Sequence, residues 1–545
     1  MKNLWQALMM VRKCDRRSFR RRVYYVLLQS VLPLVNLYIL KLLIDAVGAS
    51  VSGMAEGMAF LPYLIAMTLV FLLNRVVGAL NAVNNDVLSQ RLIDYMSDIM
   101  QHQAARLDLS YYDTPSYHDT FHRAQQESGQ RPIQILDNFM SVGGSFVSIL
   151  IVVAMLISAS WWVVIVMLIA VLPSFFVRLS KARSIYTFRR ANTQAYRRTA
   201  YYAHLLTSRE AAKEMRTYRL APYFRRLYVE QRARLVDRLL HISRRLGMAD
   251  ILCAVVEAVA MLAIVYLLAH QAFAGAITIG SFVMLFEAFR RGQSYLTSLV
   301  SGVAGLYDNR LFVGNLFEFL RLEPTIMPPD EPLPVPETVS AVEFRDVSFR
   351  YPDMNRDVLS HYNLTARVGE ITRIEGENGY GKSTLVKLLL RLYDPQQGTV
   401  LLDGIDLRRY HPAELRSRMG VLFQDFMRFN CSAAENIAFG NIDHISLVGS
   451  VNGPDSAARL AGADSVVDRL PNGYDTQLGR MFDGGQELSM GQWQRLALAR
   501  ALQSDAPILL LDEPVAWIDI AARQQFYDTI EQLKQNKIII LITHA

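Results

Sequence analysis

The sequence predicts a fold in two parts, a membrane α-helical domain followed by an α/β domain, and three observations predict it. Six apolar stretches are each long enough to cross about 30 Å of hydrocarbon. A segment at 323–338 then carries Pro324, Pro328, Pro329, Pro332, Pro334 and Pro336 and cannot sustain a helix. Beyond it, short β-rich runs alternate with helical patterns. A chain of 545 residues is also too long for one compact core.

The six stretches lie near 23–47, 57–83, 133–158, 160–179, 248–269 and 277–304. An even number returns both chain ends to one side. Hydrophobic residues make up 52% of the chain, yet it carries 57 Lys+Arg and a formal net charge of +7. The arginines crowd the flanks of apolar stretches, as at Arg16, Arg17, Arg20, Arg21 and Arg22, so membrane orientation and anionic lipid account for the charge and no nucleic-acid partner is expected. The same bias places the basic N-terminus and the Arg-rich 181–245 in the cytoplasm. Cys14, Cys253 and Cys431 are far apart, which argues against a disulfide framework or a zinc site. The first stretch is long and lacks a small-residue cleavage site, so it is expected to remain as a span.

Two inward connections, about 84–132 and 180–247, read as helices continuing out of the membrane, because Val87, Leu88, Leu92, Tyr95, Met96 and Met100 recur at helical spacing. Asp108 to Tyr117 breaks that pattern with aromatic, acidic and turn residues, as either a contact element at a hairpin tip or a polar turn would. In the α/β part, strands are expected at 342–349, 370–375, 419–423, 508–512 and 537–543. The expected division is 1–322 membrane domain, 323–340 linker and 341–545 α/β domain.

Residues 376–383, Gly-Glu-Asn-Gly-Tyr-Gly-Lys-Ser, follow a strand and open a helix at Thr384, which is the context a P-loop requires. Gly376, Asn378, Gly379 and Gly381 form the loop whose backbone N–H groups wrap a phosphate. Lys382 adds a cation, and Ser383 offers an oxygen to Mg²⁺. The buried strand Ile508-Leu-Leu-Leu-Asp-Glu513 delivers two carboxylates at its C-terminal end, where α/β sheets place their ligands. Asp512 suits Mg²⁺, and Glu513 suits the orientation or deprotonation of an attacking water.

Between them runs 488–500, Leu-Ser-Met-Gly-Gln-Trp-Gln-Arg-Leu-Ala-Leu-Ala-Arg, which resembles the signature motif of the ATP-binding cassette (ABC) family. The resemblance implies ATP and Mg²⁺ as cofactors. It also implies a head-to-tail dimer in which Ser489, Gly491 and Gln492 of one half-transporter face the nucleotide held by the other. By the same resemblance Tyr351 stacks on adenine, Gln424 links Mg²⁺ to the membrane domain, Asp519 communicates across the dimer, and His544 reads the γ-phosphate. Glu513, Gln424 and His544 are then the catalytic set; Ser383, Gln424 and Asp512 are the metal set.

Three departures from the family pattern stand out. Met490 replaces the first signature glycine, Trp517 stands where small or polar residues are usual, and the chain stops at Ala545, so the end of the cassette is expected to be missing. Six spans ahead of a cassette in one polypeptide resemble the exporter type. Residues 421–427, 475–479 and 489–495 are similar to stretches of bacterial lantibiotic and other modified-peptide exporters, and with about twenty residues before the first span no leader-peptidase domain is expected. The expected protein is an ATPase that exports a peptide or other amphipathic substrate across a bacterial cytoplasmic membrane. A lipid or lipid-linked glycan flippase is one alternative, and a transport-inactive sensor or assembly partner, prompted by Trp517 and the ending, is another. Glu257, Glu287, Arg290 and Arg291 lie within apolar stretches, as a polar path or as intrahelical pairs. The tips at 111–117 and 207–213 are expected to rest on the cassettes, near Gln424.

Overall fold

The computed structural model describes residues 2–51, 58–114, 121, 131–157, 161–352, 354–377, 381–442, 454–517 and 520–543. The chain divides into two compact units, Met1–Ala105 with Asp119–Leu322, and Arg106–His118 with Glu323–Ala545.

The first unit is helical. Its long helices are Arg16–Val51, Leu61–Arg106, Arg131–Ile157, Trp161–Ala191, Ala221–Phe273 and Ile279–Leu320. Each covers most of one of the six predicted stretches, and several run well past the apolar part, in keeping with the helical spacing beyond residue 84. Five of the described helices carry a window long and apolar enough to cross a membrane. The sixth stretch lies in Ile279–Leu320, where Glu287, Arg290 and Arg291 interrupt the apolar run. Leu69, Phe71, Leu72, Val259 and Leu262 are each more than half exposed, an arrangement suited to hydrocarbon and not to water. The interior of the unit gathers Leu34, Leu37, Val152, Leu156, Met167, Ile264, Met284 and Phe289. Helices approach closely at Gly280, where a Cβ would stand 2.5 Å from the Lys41 carbonyl oxygen.

The second unit is built on two four-stranded sheets. Antiparallel strands β1 (Ala341–Phe349), β2 (Leu359–Arg367), β4 (Gln397–Leu402) and β5 (Ile405–Asp406) form one, in the order β2-β1-β4-β5. Strands β3 (Ile371–Glu375), β6 (Met419–Leu422), β7 (Ile508–Asp512) and β8 (Ile538–Thr543) form the other, parallel, in the order β3-β8-β7-β6. Because side chains alternate along a strand, Ile508, Leu510, Ile538 and Ile540 enter one core while Leu509, Leu511, Ile539 and Leu541 enter a second. Burial on both faces explains why these strands read as unbroken apolar runs.

Two features differ from the expected division. The proline-rich segment is extended and packed: Val335 and Val339 are buried in the first of those cores, and the Leu333 N–H donates to the Arg409 carbonyl at 2.9 Å. The tip Arg106–His118 groups with the second unit, because Leu109 packs on that core and Asp108 accepts from the backbone of Thr325 and Ile326.

Candidate nucleotide site

The P-loop leads from β3 into the helix Lys382–Leu389, whose N-cap Gly381 has φ 80°. That left-handed backbone favours glycine, and a Cβ there would also stand 2.8 Å from Leu359. The turn aims the helix N-terminus at a cavity of about 620 Å³ lined by Tyr351, Gly381, Lys382, Ser383, Thr384, Gln424, Asp512 and Glu513 among others. Eight residues nominated from sequence thus converge on one space. Lys382 Nζ donates to the Gly376 carbonyl at 2.5 Å and to the Thr543 carbonyl at 3.3 Å, which holds the ammonium over the loop.

Ser383 Oγ donates to Asp512 Oδ2 at 2.9 Å. Asp512 is 4% exposed, and burial pushes its carboxyl above the ordinary range despite that hydrogen bond. Among the described residues no three His, Cys, Asp or Glu groups gather as a metal cage. A hydroxyl and one carboxylate beside a phosphate-sized space are instead the hard oxygen donors with which Mg²⁺ is bound alongside a nucleotide, so the residues fit that ion. Glu513, next in the chain, has φ 51°, uncommon for a residue with a side chain. Its carboxylate accepts from Gln424 Nε2 at 2.9 Å, at the cavity wall.

Tyr351 stands edge-on to Phe349 and Tyr393 at 5.0 and 5.3 Å between centroids, and its hydroxyl is 3.1 Å from Thr384 Oγ1. Lys387 Nζ lies 5.1 Å from the Tyr351 ring centre. From the hairpin tip, Asp113 accepts from Tyr393 Oη at 2.5 Å and stands 3.5 Å from Lys387 Nζ. Among the described residues, the tip therefore docks behind the aromatic wall of the cavity through Asp113. Burial, then the Asp113 carboxylate, push the Tyr393 hydroxyl far above its usual pKa.

Ser489 caps the helix Met490–Gln503 in a capping box with Gln492. Ser489, Gly491 and Gln492 line a separate cavity of about 370 Å³ with Arg469, Arg495 and Trp517. Met490 is 39% exposed, with its sulfur 4.0 Å from the Arg428 guanidinium. Asn378, Gly379, Asp519 and His544 lie outside the described residues.

Several residues of these sites carried no sequence signal. Arg356 and Asp357 reach the larger cavity from a turn with no motif. In the membrane unit, Glu257 accepts from Ser174 at 2.6 Å, and Glu287 pairs with Arg290 at 2.9 Å and Arg291 at 3.8 Å, so the nominated charges have local partners. A polar cleft of about 330 Å³ forms elsewhere, from Arg22, Gln29, Asp137, Ser141, Ser145 and Ser298, with Arg22 paired to Asp137 at 2.9 Å. Arg22 reads in sequence as one more flanking arginine, and serines spaced along an apolar helix as ordinary packing.

Two family comparisons match the chain: residues 24–291 match the ABC transporter transmembrane region, and residues 359–516 match the ABC transporter domain. The chain is 27% identical to the subtilin transport ATP-binding protein SpaT of Bacillus subtilis, over 100% of this chain and 88% of that protein. It is 26% identical to the nisin transport ATP-binding protein NisT of Lactococcus lactis, over 96% and 87% respectively. An ATP-dependent lipid A-core flippase of Syntrophus aciditrophicus is 33% identical over 52% of this chain and 45% of its own length. The structure of a bacterial Atm1-family ABC exporter with ATP bound superposes with a TM-score of 0.78 at 23% identity, covering 97% of this chain and 92% of that one.

Proposed function

The chain belongs to the ABC transporters, with the membrane and ATP-binding parts fused in one polypeptide, and from that premise we propose that two copies form an ATP-driven exporter of a modified peptide. The observation that carries the reading is the convergence of Tyr351, Lys382, Ser383, Thr384, Gln424, Asp512 and Glu513 on one cavity, while Ser489, Gly491 and Gln492 line another. One phosphate-binding helix end per nucleotide is enough within a copy. The second serves a nucleotide held by the partner copy, and the two-cavity arrangement supports a dimer.

In this reading Tyr351 stacks on the base, and Lys382 with the N-terminus of the helix Lys382–Leu389 holds the phosphates. Ser383 and Asp512 hold Mg²⁺, which when bound supplies charge neutralisation on the phosphate oxygens. Glu513 orients the attacking water and takes its proton. Gln424 sets the direction of that carboxylate through their 2.9 Å hydrogen bond. Ser489, Gly491 and Gln492 close on the partner's triphosphate, and Asn378, Gly379, Asp519 and His544 complete the set by family resemblance. Docking of the tip through Asp113 passes changes at the aromatic wall to the helix that ends at Arg106.

Similarity to the subtilin and nisin transport proteins along almost the whole chain supports a peptide cargo. The bacterial relatives support the cytoplasmic membrane as its location. The half-length match to a lipid A-core flippase favours lipid as the second reading. The test uses full-length protein in lipid nanodiscs. Glu513→Gln is expected to lower ATP hydrolysis at least a hundredfold while nucleotide binding is retained. Stimulation by modified peptides supports export of peptide, and stimulation by lipid alone supports the flippase. An unchanged rate in Glu513→Gln would overturn the catalytic assignment.

A further inference from the structure

We infer that Gln494 is a positioning residue for the hydrolytic carboxylate of its own copy, holding Glu513 from the helix whose N-terminus grips the partner's nucleotide. This rests on the functional reading above and goes beyond it, because Gln494 is not among the residues lining either cavity.

Gln494 lies on the helix Met490–Gln503 and is 3% exposed. Its Nε2 donates to the Glu513 carbonyl at 2.9 Å, and its Oε1 accepts from the Trp517 backbone N–H at 2.9 Å. The two partners fix the orientation of the amide, since reversing it would set oxygen against oxygen and N–H against N–H. Glu513 is the left-handed residue at the end of β7, and its own N–H donates to the Ile542 carbonyl of β8 at 3.0 Å. Both polar groups of its backbone are thus tied, the N–H by the sheet and the carbonyl by Gln494 at 2.9 Å, with the Ala516 N–H a longer second donor at 3.3 Å. A residue with a side chain holds φ near 50° only where its surroundings over-determine it, and the Gln494 bond is a side-chain contribution to that constraint beside the backbone bonds from Ala516 and to Ile542. The result is a carboxylate turned to Gln424 in the cavity.

The same amide also holds Trp517, so the turn after Glu513 and the carboxylate share one anchor. Gln494 follows Gly491 by three positions, less than one helical turn. A shift of that helix end against the partner's triphosphate therefore reaches the Glu513 carbonyl through a single side chain. The sequence shows Gln494 only as one polar residue in a polar motif; its role comes from the 2.9 Å bonds at both of its amide atoms.

Gln494→Met keeps length and burial while removing both hydrogen bonds. The test uses full-length dimers of two differently tagged copies in nanodiscs, with a wild-type copy paired to a Glu513→Gln copy as reference. Where Gln494→Met is in the copy that retains Glu513, the one competent site contains the unanchored carboxylate, and kcat is expected to fall about tenfold with KM for ATP within twofold. Where Gln494→Met and Glu513→Gln share a copy, the competent site uses that copy only for its signature residues, and the rate is expected to stay within twofold of the reference. A variant that merely loosened the helix would slow both arrangements. Equal loss in both, loss only in the second, or loss in neither overturns the inference. Failure of the functional reading is separately visible, because a dimer with Glu513→Gln in both copies would then hydrolyse ATP at the wild-type rate.

Discussion

Asp113 joins the hairpin tip to the nucleotide-binding unit by a hydrogen bond from Tyr393 at 2.5 Å and an approach to Lys387 of 3.5 Å. A hydrogen bond to a charged group is worth about 1.5–3 kcal/mol when shielded. Asp113 is 42% exposed and solvent screens it, so about 1–1.5 kcal/mol is the working value here. At about 1.4 kcal/mol per tenfold change, Asp113→Ala and Tyr393→Phe should each raise the opening equilibrium of the tip close to tenfold. The amides of Asp113 and Thr114, which donate to the Leu109 and Tyr111 carbonyls at 3.1 Å, report that opening by hydrogen exchange. The double variant should exchange little faster than the faster single variant, since both remove the same bond. Amides of β7 serve as the control and should not change. Additive acceleration, to about a hundredfold, or no acceleration in either single variant would refute the docking role.

Asp512→Asn should raise the melting temperature of nucleotide-free protein at pH 7 while abolishing hydrolysis. Burial raises the Asp512 pKa above its ordinary 3.8, so the folded chain binds that proton more tightly than the unfolded chain. The resulting penalty is absent below the unfolded value, grows as pH rises through the folded value, and is complete above it. The advantage of the variant should therefore shrink as the buffer is made more acidic; a lower melting temperature for the variant at pH 7 would contradict it. Gly440→Ala should destabilise the second unit by about 1–3 kcal/mol, because the new methyl would collide with the Arg500 backbone carbonyl and stand 3.1 Å from the Gln503 Cβ. Thermal melting checks this, and an unchanged midpoint would show that the helix end yields freely.

What the sequence by itself determined were the features whose signal is local. The P-loop, the carboxylate pair closing β7 and the signature helix are contiguous stretches whose chemistry is written in adjacent residues. The parallel strands β3, β6, β7 and β8 also lie within a residue or so of their expected bounds, since burial on both faces makes them continuous apolar runs. Strands β2 and β4 were not legible: β2 buries only Leu359 and Ala366, and its Ser-His-Tyr-Asn interior is stabilised by pairing with β1 and not by an apolar pattern of its own. The tertiary structure alone decided the docking of Asp113, 280 positions from Tyr393, and the pairing of Arg22 with Asp137, 115 positions away. It also decided that Gln494 holds Glu513 from another element, 19 positions off. Hydrogen bonds of this kind depend on where crossing connections return the chain, and a one-dimensional pattern records which groups are present but not which of them meet.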